Sequence, residues 1–180
     1  MVGCGQSDDG VILYTEDGDG GWRNRNLTQE VPGAEPLAGA DMDVYTTPWG
    51  FVNIVGVNAS GEPIIYWQDG QTDDSGDYRW VCTNIAQSEL LTNDQTVPDW
   101  TSDIESYVTP WGGLNVAGID SNGHVYVVWW SPASNGWISS DLTSLTGTLG
   151  MVGSLSTFVT EWGGITITGL DEQGHMIALW

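Results

Sequence analysis

Apolar residues in this chain recur in short runs of strand character rather than at helical spacing. The segments SYVTPW, GLNVAGI, HVYVVWW and WISSDLT are rich in β-branched and aromatic residues and are bounded by Gly, Asn, Asp, Ser or Pro. No segment holds a helical period over ten or more residues. The pattern therefore predicts an all-β protein built from short antiparallel strands.

The strands belong to a sequence unit that is repeated along the chain. Residues 48–67, 110–129 and 161–180 share an initial Trp, two internal Gly and a final Trp at the same offsets. The matching positions are Trp49, Trp111 and Trp162; Gly56, Gly118 and Gly169; Gly61, Gly123 and Gly174; and Trp67, Trp129 and Trp180. Near the N-terminus, Gly5 and Gly10 fit the positions of the two glycines. We therefore expect the chain to begin inside a repeat.

A second segment, which has a Trp as its second residue, follows each copy except the last. The segments GWRNRNLT, RWVCTNIA and GWISSDLT align on Trp22, Trp80 and Trp137, and Leu27, Ile85 and Leu142 lie five residues further on. The chain thus holds about three and a half repeats. We place the units at 1–38 (partial), 39–98, 99–147 and 148–180 (partial).

Each whole unit predicts four antiparallel strands. The link between its second and third strands is an acid or amide, two residues and a Gly, which suits a tight hairpin turn. Such units, repeated every ~40 to 60 residues, are typical of the blades of a β-propeller. Because a blade buries both faces against its neighbours, we expect the repeated tryptophans to be buried, with Trp129 and Trp130 on opposite faces of one strand.

The order GLNVAGIDSNGHVYVVWW followed by GWISSDLT resembles the repeat of tectonin-like and related β-propeller lectins. In those proteins a strand ending in a G-x-D-x-x-G turn precedes an aromatic strand and an outer strand that begins with Trp. The resemblance implies a non-enzymatic, multivalent, glycan-binding protein, often with one site per blade or blade junction. The fucose-binding branch uses an arginine in every repeat, and here Arg23, Arg25 and Arg79 do not recur in register.

Charge narrows the choice of partners. With 24 acidic residues against 3 arginines and no lysine, the 180-residue chain carries a net charge of −21. Such a surface repels nucleic acid and anionic lipid. No run reaches the ~18 apolar residues of a membrane helix, and the chain begins without a signal peptide. We expect a module of a secreted or cell-surface protein.

Metal ligands are sparse in the sequence. Glu16, Asp17 and Asp19, in the hairpin EDGDGG, could supply oxygens to Ca²⁺, although the loop lacks EF-hand spacing and also suits a solvated hairpin. His124 and His175 occupy one repeat position, directly after a turn glycine, and are expected to cap the turn rather than to bind metal. No other cofactor is indicated.

Catalytic signatures are absent from the sequence. No carboxylate pair stands out from the general acidity, and there is no nucleophile elbow or P-loop. We therefore predict a binding module rather than an enzyme, with glycans or a protein surface as its partner. The alternatives are a structural or assembly repeat of a large extracellular protein without a small ligand and, third, a propeller enzyme of the glycoside hydrolase type.

The candidate ligand platform consists of aromatic residues. Trp130 and Tyr126 share a strand face, and Tyr66 holds the comparable place in the preceding unit. The terminal units supply only three strands each, which would leave a strand edge and an apolar face uncovered. We expect the chain either to be a fragment of a longer propeller or to complete its ring by homo-oligomerisation.

Overall fold

The structure, a computed structural model, describes residues 2–7, 10–16, 18–38, 42–92, 95–101, 104–134 and 136–180, with 2–7 described as backbone alone. This part of the chain is all-β, as the sequence pattern predicts, and forms four antiparallel sheets in which neighbouring strands are consecutive in the chain. We number the sheets 1 to 4 in chain order.

The bounds of the elements are as follows. Sheet 1 contains β1 (Val2–Ser7), β2 (Gly10–Glu16) and β3 (Trp22–Asn26), followed by helix α1 (Leu27–Glu30). Sheet 2 contains β4 (Asp43–Thr46), β5 (Val52–Val57), β6 (Pro63–Thr72) and β7 (Tyr78–Asn84). Sheet 3 contains β8 (Glu105–Val108), β9 (Leu114–Ile119), β10 (Val125–Trp130) and β11 (Ile138–Asp141), followed by helix α2 (Leu142–Thr146). Sheet 4 contains β12 (Val152–Val159), β13 (Ile165–Leu170) and β14 (Met176–Leu179).

Both helices are single turns that begin at a capping side chain. Asn26 and Asp141 accept hydrogen bonds from Gln29 N and Ser144 N at 3.1 and 2.9 Å. With four and five residues, these helices are too short to cross a membrane, and the described residues contain no helix that could.

The core is divided into three apolar clusters, each of which joins two consecutive sheets. Sheets 1 and 2 meet through Val11 and Leu13 against Ile54, Ile64 and Tyr66. Sheets 2 and 3 meet through Val55 and Ile65 against Val116 and Val128. Sheets 3 and 4 meet through Ala117 and Val127 against Leu155 and Ile167. Because alternate residues of a strand point to opposite faces, sheets 2 and 3 bury both faces and the four sheets pack in chain order.

The first repeated glycine of each unit allows close packing of the preceding linker. A Cβ added to Gly56, Gly118 or Gly169 would collide with the side chains of Leu37, Trp100 or Met151, respectively. These three large residues precede sheets 2, 3 and 4 and lie against β5, β9 and β13, respectively. The recurring glycine therefore marks a close approach rather than a bend.

The repeated tryptophans differ widely in exposure, so the expectation that all of them are buried is wrong. Trp80 in β7 and Trp137 directly before β11 are 5% and 7% exposed. Trp49, Trp111 and Trp162 are 44%, 60% and 81% exposed, because they lie in the turn between the first two strands of their sheets. Trp129 and Trp130 do point to opposite faces, in different clusters.

The first unit is shifted by one residue from the alignment on Gly10. The pairing places Gly5 opposite Ile12, whereas the equivalent Gly56 and Gly118 pair with Ile64 and Tyr126. The hairpin of sheet 1 is therefore one residue shorter than the others. Val11 consequently takes the place of Pro63 and Val125, not that of His124.

A side-chain contact supports this register. The backbone N–H of Val11 donates to Thr28 Oγ1 at 3.0 Å, and that of Val125 donates to Thr143 Oγ1 at 2.9 Å. In the second unit the residue equivalent to Val11 is Pro63, which has no N–H to donate. Ala86 there replaces the threonine.

Candidate functional site

An aromatic pocket lies at the junction of sheets 2 and 3. It has a volume of about 370 Å³, and its aromatic lining residues are Trp49, Phe51, Trp67, Trp130 and Trp137. Its polar lining residues are Thr47, Asn53, Gln68, Asp69 and Thr83. A pocket with flat apolar walls and a few polar groups is the usual form of a small-molecule site.

Trp49 is held at the mouth of this pocket by a tight turn. Thr47 Oγ1 accepts the backbone N–H of Phe51 at 2.9 Å, and Gly50 within the turn has a φ of 90° that favours glycine. The same bond recurs from Thr109 and Thr160, at 2.8 and 2.7 Å. In each unit the repeated threonine and glycine therefore fix a turn that places the indole ring of the repeated tryptophan at the surface.

The aromatic rings of the pocket come from both sheets. Trp49 meets Trp130 of sheet 3 edge to face, with ring centroids 6.0 Å apart at 73°. Trp67 projects from β6, and its Nε1 donates to Thr83 Oγ1 at 3.1 Å. The orientations of Trp49 and Trp67 are thus supported by contacts with Trp130 and Thr83, which also line the pocket.

The polar groups of the pocket are held by neighbouring side chains. Asn53 is buried and donates to the Tyr45 hydroxyl at 2.9 Å, and burial raises the pKa of Tyr45 to about 12. Asp69 accepts from Arg79 Nε at 2.8 Å, and this hydrogen bond holds the pKa of Asp69 below its usual value. Near neutral pH Asn53 and Tyr45 are therefore uncharged, and Asp69 is an ionised carboxylate paired with Arg79.

An equivalent pocket of about 330 Å³ lies at the junction of sheets 3 and 4. Trp111, Asn115, Trp129 and Ser140 line it at the repeat positions of Trp49, Asn53, Trp67 and Thr83. Asn115 is buried and donates to the Gly113 carbonyl at 3.0 Å. The same chemistry therefore occurs at two successive junctions.

The structure separates the three aromatic residues that were predicted to bind ligand. Trp130 lines the pocket between sheets 2 and 3. Tyr126 lies on the same strand face and packs, partly buried, in the cluster beneath. Tyr66 is fully buried between sheets 1 and 2, where its hydroxyl donates to the Glu35 carbonyl at 2.6 Å and burial raises its pKa. Its ring therefore has no free face for a ligand.

Sequence reasoning missed Trp49, Asn53 and Trp67 as pocket residues, together with their counterparts Trp111, Asn115 and Trp129. The signal was present in the recurrence of Asn four residues after the first Trp in two units. A buried amide at a repeated position indicates a polar site within an apolar junction.

Of the proposed calcium ligands, Glu16 and Asp19 line neither pocket. Glu16 ends β2 and Asp19 is exposed in the following link, whereas Asp17 lies outside the described residues. Within the ranges that the structure describes, no three His, Cys, Asp or Glu side chains are grouped as a metal site. The calcium hypothesis stays a prediction.

The two histidines close their turns through the backbone. The N–H groups of His124 and His175 donate to the turn carboxylates of Asp120 and Asp171 at 2.9 and 2.8 Å. The His124 ring lies 2.8 Å from Asp141 Oδ2, and this hydrogen bond raises the pKa of His124. Burial opposes ionisation of Asp141, but hydrogen bonds from Ser144 and His124 lower its pKa to about 2.

Comparison with known proteins identifies no relative of this chain. The chain matches no protein-family model, and a search of curated proteins finds no match. The functional interpretation therefore depends on the two aromatic pockets and the residues that build them.

Proposed function

We propose that this protein is a non-enzymatic β-propeller module that binds glycans at the junctions between its blades. Under this proposal the four sheets are blades, and their packing in chain order through alternate faces supports it. The observation that carries the functional part is the recurrence of one pocket, with the same Trp, Asn and hydroxyl residues, at two junctions.

The chemistry of the pockets suits a sugar ring. A pyranose has an apolar face of C–H groups that stacks on an indole, and hydroxyls that bond to amides, hydroxyls and carboxylates. Trp49 and Trp111 offer partly exposed rings beside Asn53 and Asn115. Because the chain carries a net charge of −21, we infer neutral glycans rather than sulfated or sialylated ones.

Repeated sites also explain why each pocket can be shallow. A single stacked sugar is held weakly, but two sites on one rigid body that engage one branched glycan raise the overall affinity by ~10²-fold or more. This property suits adhesion at a cell surface or in the extracellular space, where we place the protein.

The proposal is tested with a glycan array followed by titration calorimetry on the best ligand. Trp49→Ala and Trp111→Ala should each abolish one site, and the double variant should lose binding. The matched control, Leu145→Ala, removes an exposed apolar side chain that lines neither pocket and should bind like the unaltered protein. Silence across all sugar classes, or unchanged binding by the double variant, would refute glycan recognition.

An assembly module without a small ligand is the second candidate. The observation that favours it is the large apolar surface of sheet 4, where Phe158, Met176 and Trp180 are exposed. The two candidates are compatible, because the pockets and that surface lie on different residues, except for Trp180, which touches both.

A further inference from the structure

Sheet 4 has one apolar face that no described part of the chain covers. The members of this face alternate along the strands with the residues that pack on sheet 3. They are Phe158, Thr168, Leu170, Met176, Ala178 and Trp180. Phe158, Leu170, Met176 and Trp180 are 65%, 50%, 76% and 97% exposed. We call these six residues the free face of sheet 4.

The same face of sheet 3 is buried. The equivalent residues by repeat position are Tyr107, Ala117, Ile119, Val125, Val127 and Trp129. The first five are at most 8% exposed, and Trp129 is partly buried, because sheet 4 packs against them. The free face of sheet 4 therefore has the composition of a face that is covered by another sheet elsewhere in this molecule.

Sheet 1 exposes the complementary face. Tyr14 and Trp22 are 44% and 54% exposed. By strand register and repeat position their counterparts in sheet 2 are Tyr66 and Trp80, which are buried in the cluster between sheets 1 and 2. In sheet 3 the counterparts, Val128 and Trp137, are buried against sheet 2. Sheet 1 thus presents the kind of surface that covers a preceding sheet.

We propose that a second copy of this chain docks head to tail, with its sheet 1 on the free face of sheet 4. The three junctions within the chain are the template, since each joins these two unlike faces in the same order. Within one chain Trp22 and Met176 are both exposed, so the two faces do not cover each other. Two copies bring eight sheets together, which is within the range of propeller rings, and an unlike-face contact closes when its rotation permits.

The second copy also completes a third aromatic pocket, a part of the inference that rests on the proposed function. Trp162, Thr166 and Trp180 hold the repeat positions of Trp49, Asn53 and Trp67, but no described sheet packs on the free face of sheet 4. In the pocket between sheets 2 and 3 the opposite wall includes Trp137, whose counterpart in sheet 1 is Trp22. The partner chain would therefore supply an indole to this site.

Sedimentation velocity without sugar tests the association. The unaltered protein should show a concentration-dependent species of twice the 19.4 kDa chain mass, favoured by high salt because screening reduces repulsion between acidic chains. Trp22→Glu blocks one face and Met176→Glu the other. Each variant alone should associate about a hundredfold more weakly, since a charge would be buried in an apolar contact.

Mixing the two variants is the decisive measurement. A head-to-tail contact leaves one intact junction between unlike variants, so the mixture should form a 1:1 dimer although neither variant does so alone. A control, Leu145→Glu, alters an exposed leucine outside both faces and should behave like the unaltered protein. Far-UV circular dichroism and melting curves check that each variant is folded.

Three results would overturn the proposal. They are a monomer at every concentration and salt level, a Trp22→Glu variant that dimerises as tightly as the unaltered protein, and folded variants that do not associate when mixed. The third pocket is tested separately by calorimetry, with two glycan sites per chain expected for Met176→Glu and three per chain for the closed dimer. Two sites per chain in the dimer would remove the third pocket, whereas absence of any glycan binding with intact dimerisation would refute the proposed function alone.

Discussion

The junction between sheets 1 and 2 and the junction between sheets 2 and 3 have similar apolar centres but different polar chemistry. At the first, Arg25 bridges Glu30 at 2.7 Å and Asp73 of sheet 2 at 3.1 Å. At the second, the corresponding rim is a pocket walled by tryptophans. The apolar centre packs the sheets together at both junctions, whereas the rim carries ion pairs at the first and an open pocket at the second.

A carboxylate and amide network adds to the first junction. Asn58 Nδ2 donates to Glu35 at 2.7 Å and to Glu62 at 2.8 Å, and Asn84 Nδ2 donates to the same two carboxylates. Hydrogen bonds from Gln87, Asn58 and Asn84 lower the pKa of Glu62. This network therefore ties the linker at Glu35 to the adjacent end of sheet 2.

The largest effect is expected from removing a tryptophan at the centre of the first junction. Trp80→Ala should lower the free energy of unfolding by about 3–5 kcal/mol, since it leaves a large cavity. Trp22→Ala alters the same repeat position where it is exposed and should cost less than ~1 kcal/mol under monomeric conditions. Urea denaturation measures both, and equal losses would contradict the division into covered and free faces.

A smaller effect is expected where the linker crosses a sheet. Gly118→Ala forces a methyl group into the rigid indole of Trp100, and overpacking of this kind costs about 1–3 kcal/mol. Gly169→Ala, at the same repeat position, meets the flexible side chain of Met151 and should cost less. If thermal unfolding ranks these two variants in the opposite order, the close approach of Trp100 is not the constraint that preserves the glycine.

The repeat made the strands and their alternation predictable, because period and turn residues are local properties. It could not show which rings are exposed. Trp49 and Trp80 are both repeated tryptophans, but one lies in a turn fixed by Thr47 and the other faces sheet 1. Tyr66 and Trp130 share a type of strand face, and their burial differs because different residues lie opposite them.

The register of sheet 1 was unpredictable for a related reason. Gly5 and Gly10 have the spacing of the repeat, yet the shorter hairpin moves Val11 into the buried row. Shifting a strand by one residue exchanges its two faces, so the choice was decided by burial of Val11 and Leu13 against sheet 2. That contact is a property of the packed sheets and not of the glycine spacing.

The smallest effect concerns the pair of His124 and Asp141. This pair lies outside both compared junctions and joins the turn at His124 to the start of helix α2. The pKa of His124 is raised above its ordinary 6.5, so its contribution to stability is present below that value and is lost as pH rises through the folded pKa. The pKa of Asp141 is lowered from 3.8 to about 2, so its contribution is lost as pH falls through that range. The pair should therefore stabilise the fold most between about pH 4 and 6.5.

Melting temperatures of the unaltered protein and of His124→Gln, recorded from pH 4 to 9, should converge on the alkaline side. A difference that does not change with pH would show that the ring acts by packing rather than by charge.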